Sequence, residues 1–144
     1  MVNPRIDTTR DDDGDPVVLA CFDLSGAQSA AAAHAVAAVS VERYRTAEMA
    51  ADDVLAMREL TALADSLAEL AREDALQPVQ LRPARLTALR DALAEFVDGR
   101  DAAEYLREED RDPIAILRPL LWPLDDLCTQ ALHAALRPAA PASA

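Results

Sequence analysis

Apolar residues recur at helical spacing along most of the chain. Ala56, Leu60, Leu63, Leu67 and Leu70 fall on one side of a helix, with Arg58, Thr61, Asp65, Glu69 and Arg72 opposite, and Met49 extends the stripe upstream. A second stripe, Leu86, Leu89, Leu93 and Phe96, begins after Pro83, which suits a first helical turn, and meets a stop at Asp98 and Gly99. Ser25 and Gln28 have the spacing of a capping box, so a helix is expected to start there. No Gly or Pro interrupts residues 27–77, but the apolar spacing lapses between residues 40 and 53, which places a turn in that interval. Residues 101–110 read as a short acidic helix or turn. The last helical region, capped by Asp112 and Pro113 and kinked near Pro119 and Pro123, runs to residue 136.

Two stretches break the helical period. Residues 17–22, VVLACF, are apolar and rich in β-branched side chains and read as an extended segment, with residues 79–81 as a counterpart. The two pair as a small ribbon or serve as extended lead-ins, and Pro78 works against regular pairing.

The halves also echo each other. At a separation of 60, Arg58, Leu60, Asp65, Leu67 and Ala71 meet Arg118, Leu120, Asp125, Leu127 and Ala131; at a separation of 57, Phe22 meets Val79, and Tyr44 falls near Tyr105. That pattern suggests an internal duplication, with Ala/Leu-rich composition as the rival explanation. The expected fold is therefore all-α: four main helices as two pseudo-symmetric hairpins, with a two-stranded β element from residues 17–22 and 79–81 at most. Residues 1–15, with five acids against two arginines, read as a disordered acidic arm. Residues 16–136 form one helical domain, with repeats at 16–74 and 75–136, and residues 137–144 are a flexible tail.

Composition narrows the chemistry. Aromatic residues make up only 3%, so the core must come from Ala, Leu and Val, which favours closely packed helices. The net charge is −12 and all 14 basic residues are arginine, which removes lysine chemistry and disfavours direct nucleic-acid binding. A partner with a basic surface suits that charge. Cys21 and Cys128 lack CxxC spacing and read as reduced, buried thiols. The acidic start does not resemble a leader, and residues 27–41 are too weakly apolar for a membrane span, so a cytoplasmic protein is expected.

Candidate chemistry is thin. His34 and His133 both read as solvent-side structural histidines. Glu104 and Glu108 stand four apart within the acids of residues 104–112, but Arg107 and Arg111 interleave, and a solvated turn is the better reading than a cation site. No phosphate-binding loop, dinucleotide fingerprint or nucleophile elbow occurs, and neither a metal nor a cofactor is expected.

The strongest functional signal is an apolar excess. Ile114, Leu117, Leu121 and Trp122 lie in a segment with almost no polar face, so something must cover both sides. Either the chain covers it internally or it is a protein interface, a homodimer seam anchored by Trp122. The reading that follows is a non-enzymatic interaction or regulatory module acting inside the cell as a homodimer. The alternative is a small-molecule binder or enzyme with a pocket between the hairpins, using His34, Tyr44, Tyr105 or Glu104.

Overall fold

The computed structural model describes residues 1–46 and 51–137. Strands β1 (Val2–Arg10) and β2 (Pro16–Leu24) precede helices α1 (Gly26–Thr46) and α2 (Ala51–Leu70). Strand β3 (Gln77–Leu81) and helix α3 (Pro83–Asp101) follow, then α4 (Glu108–Leu117), a 3-10 turn (Arg118–Leu120) and α5 (Leu121–Leu136). The strands form one antiparallel sheet in the order β1-β2-β3. The described residues are 67% helical, yet this sheet makes the fold mixed α/β, which corrects the all-α expectation.

The correction begins in residues 1–15. Val2–Arg10 is a strand, and the acids after it are turn chemistry. The Asp11 carboxylate accepts the amides of Asp13 at 3.0 Å and Asp15 at 2.8 Å, and Gly14 supplies the left-handed φ of 82° that the reversal needs. Ile6 is the one half-buried residue between Val2 and Arg10, so ladder hydrogen bonds and cross-strand pairs hold β1 more than core burial does. A composition rule for disorder weighs burial and is blind to both.

In the sheet, β2 is central and inserts Ala20, Phe22 and Leu24 into the core. It pairs with β3 from Ala20↔Leu81 to Leu24↔Gln77. Pro78 sits opposite Asp23 in that ladder, tolerated because β3 is an edge strand whose outer side needs no amide partner. Phe22 and Val79, matched between the halves in sequence, face each other here. The halves otherwise differ: β1 has no counterpart before β3, and the last helical region is divided by the 3-10 turn.

Helix α1 starts as its capping box requires, with the Gln28 amide donating to Ser25 Oγ at 3.1 Å and the Ser25 amide to Gln28 Oε1 at 3.0 Å. It buries Ala31, Ala32, Ala35, Val36 and Val39 and packs on α2, α3 and α4. Small side chains on this face let the neighbouring axes approach closely. Gly26 marks one such approach: a Cβ there would lie 2.8 Å from the backbone oxygen of Glu73. In α2, Leu60, Leu63 and Leu67 are buried, but Ala56 is exposed. In α3, the expected stripe of Leu86, Leu89, Leu93 and Phe96 is fully buried, and the helix passes Gly99 to end at Asp101.

Helix α1 ends at Thr46 and α2 begins at Ala51, inside the interval of residues 40–53 where a turn is expected; residues 47–50, including Met49, lie outside the described residues, as does the tail beyond Arg137. The last helical region starts at Glu108, earlier than the Asp112 cap, and carries Pro113 inside α4. Its apolar excess is largely covered within the chain. Ile114 and Leu117 are buried and Leu121 packs half-buried against the core, so these three form no free surface, whereas Trp122 is 76% exposed. Among the described residues, no helix is long and apolar enough to cross a membrane.

Candidate functional site

His34 lies on the side of α1 that meets α4, not on an isolated solvent face. Its Nε2 is 2.8 Å from Oδ1 of Asp110, in the first turn of α4. The other Asp110 oxygen, Oδ2, accepts Nε of Arg100 at 3.0 Å, and the same guanidinium donates to Glu42 Oε1 at 2.7 Å. Three helices thus contribute to one chain of polar contacts, Glu42 to Arg100 to Asp110 to His34.

Phe96 forms its floor. The Arg100 guanidinium stacks 4.6 Å above the Phe96 ring, four residues earlier on α3, and the His34 ring meets the same ring edge-on at 5.7 Å and 88°. The aromatic ring below and the carboxylate beside fix both side chains in place.

Asp110 is the centre of this arrangement. It is 3% exposed, the one buried charged residue among those described. Burial alone would raise its pKa, but the hydrogen bonds from His34 and Arg100 outweigh that and hold the carboxyl below the ordinary aspartate range. For Arg100, burial would lower the pKa, yet Glu42 and Asp110 push it up. The α4 N-terminus adds a favourable field for an anion in its first turn. An ionised carboxylate only accepts, so His34 Nε2 carries the proton that it shares with Asp110. His34 Nδ1 has no hydrogen-bond partner among the described residues.

Beside these groups opens a cleft of ≈ 520 Å³, lined by His34, Arg100 and Asp110 and also by Arg45, Tyr105 and Arg107. Among the described residues its charged lining is three arginines against two carboxylates, Glu42 and Asp110, a net positive patch on a chain of net charge −12. Among the described residues no Ser, Thr or Cys lines it, so beside the two carboxylates the groups on offer are an imidazole, guanidinium groups and one phenol. They can orient a ligand and exchange a proton with it.

The residues expected for a pocket are only partly united. His34 and Tyr105 share this cleft, Tyr105 being 82% exposed at its mouth. Tyr44 lines a different groove, of ≈ 550 Å³ between α1 and α2, with Val54 and Met57. Glu104 is exposed and is not in the lining of either. His133 is exposed on α5, and Cys21 and Cys128 are free buried thiols. Glu104, Glu108, Glu109 and Asp112 are exposed, as a solvated charge run requires, but the last three lie in α4 and not in a turn, and Asp110 is buried. Among the described residues, the carboxylates of Asp11, Asp13 and Asp15 also converge, within 4.8 Å, but that of Asp11 is engaged by turn amides.

Arg100 and Asp110 were the residues that sequence reasoning missed as a pair. A faint signal existed: Phe96 and Arg100 are four apart, the spacing at which a guanidinium can stack on a ring along a helix. No protein-family model, no curated protein and no solved structure matches the chain.

Proposed function

We propose that this protein is a ligand-binding module whose recognition site is the cleft between α1, α3 and α4. What supports the reading is Asp110, a buried carboxylate that ties His34 and Arg100 together at the edge of an open cleft. Breaking such a buried set costs stability, and a hydrophobic substitute for it often costs nothing, so a fold has no need of it for strength alone. A perturbed carboxylate with specific charge partners in a cleft is the usual mark of a functional site. The test is a thermal-shift screen of small molecules on the wild-type chain and on His34→Ala. Ligands of the cleft raise the melting temperature of the first and lose that effect in the second; stabilisation indifferent to His34 would sink the assignment.

A second reading is favoured by one observation, the 76% exposure of Trp122 on α5. In it, the protein is an intracellular interaction module that self-associates through this ring or docks it on a partner with a basic surface. Light scattering over a range of concentrations tests it: a dimer mass that Trp122→Ala returns to monomer supports it, and a monomer at every concentration removes the homodimer.

A further inference from the structure

We infer that the ligand of this cleft is a small organic anion, with a carboxylate or phosphate head held by Arg107 and Arg45 and an apolar body laid against α1. The inference rests on the cleft being the recognition site, and it assigns the chemical class.

The charges decide the head group. Arg100 is already matched by Glu42 and Asp110, so it shapes the floor and has little charge to spare. Those two carboxylates are engaged by arginine, which leaves no free acid among the described residues of the lining for a metal cation or an amine. Arg107 is different: its side chain is 75% exposed and, among the described residues, pairs only loosely, with Glu109 at 3.7 Å. Arg45 is exposed and forms no ion pair among the described residues. They are the donors left to meet an incoming group, and a guanidinium offers paired N–H groups that fit the oxygens of a carboxylate or phosphate.

The walls decide the body. Ala37, Ala38 and Val41 give α1 an apolar side toward the cleft, and the exposed Tyr105 ring stands at its mouth. The volume of ≈ 520 Å³ lies inside the range of about 300–1,000 Å³ usual for small-molecule sites. A long polyanion is excluded by the rest of the surface, because a chain of net charge −12 repels it beyond the cleft's local positive patch.

The test uses the full-length chain labelled with nitrogen-15 and four probes: benzoate, phenyl phosphate, neutral benzamide and inorganic phosphate. Benzoate and phenyl phosphate are expected to shift the amides of residues 34–45 and 99–110, with benzamide weaker by about tenfold or more, since it lacks the charge-assisted bonds. Comparing the two anions distinguishes a carboxylate from a phosphate head, and inorganic phosphate binding as well as phenyl phosphate would overturn the apolar body. Arg107→Gln, at an exposed position whose spectrum reports intact folding, should weaken both aromatic anions by about tenfold and leave benzamide unchanged. If benzamide binds as tightly as benzoate at the same amides, the anion assignment fails while the cleft remains a site. If no probe moves those amides at millimolar concentration, both the assignment and the cleft reading fail.

Discussion

His34 Nε2 lies 2.8 Å from Asp110 Oδ1, across 76 residues of sequence. This contact joins α1 to α4 through a buried side chain, and it makes the position of the imidazole depend on one carboxylate. Removing that carboxylate strips Arg100 and His34 of a shared partner. Asp110→Ala is expected to cost about 2 kcal/mol in a urea melt, less than the roughly 3–5 kcal/mol usual for a fully buried pair, because Arg100 keeps Glu42 and His34 retains contact with water. A cost under about 0.5 kcal/mol, the range of ordinary surface changes, would mean that Asp110 does not organise the site.

Acid should erase that difference. Asp110 has its pKa lowered on folding, so its stabilising contribution is complete above the ordinary aspartate value, about 3.9, and is lost as pH falls through the lower folded value. The stability gap between the wild type and Asp110→Asn is therefore expected to be steady near neutrality and to shrink in strong acid. Denaturant melts of both proteins across pH measure it, and a gap that widens on acidification would reverse the sign argued here.

Two glycines make opposite predictions for one substitution. Alanine is preferred over glycine in a helix by up to about 1 kcal/mol. At Gly99 a Cβ meets nothing within 4 Å, so Gly99→Ala should stabilise by about that amount. At Gly26 the Cβ would press on the Glu73 carbonyl at 2.8 Å, a backbone atom that cannot swing aside, so Gly26→Ala should destabilise. Thermal melts showing both variants moving in the same direction would contradict the packing of α1 against the end of α2.

How much of this was legible in the sequence depended on how local the cause was. The start of α1 and the buried stripe of α3 follow from residues three and four apart, and both appear where the spacing puts them. The strand β1 was not legible, because Asp11, Asp13 and Asp15 signal disorder by composition and a tight reversal by side-chain bonding to amides, and only the second operates here. Asp110 sits among acids that are exposed, and nothing adjacent in sequence sets it apart; its partners come from α1 and α3. Periodicity reports which face of a helix is apolar and is silent on which polar residue a neighbouring helix will cover.

The same limit governs the apolar segment around Trp122. Ile114 is buried and Trp122 is 76% exposed, although both belong to one run without a polar face. Ile114→Ala is expected to cost about 2–4 kcal/mol by leaving a cavity, and Trp122→Ala less than about 0.5 kcal/mol in the monomer. Urea denaturation of the two variants measures this, and a large loss at Trp122 would show that α5 buries that face against something.

The most direct test of the cleft is calorimetric titration of phenyl phosphate into the wild type, Arg107→Gln and Trp122→Ala. Binding weakened about tenfold by Arg107→Gln and untouched by Trp122→Ala is the predicted result. Binding indifferent to Arg107, or lost with Trp122, would place recognition elsewhere on the molecule and contradict the account.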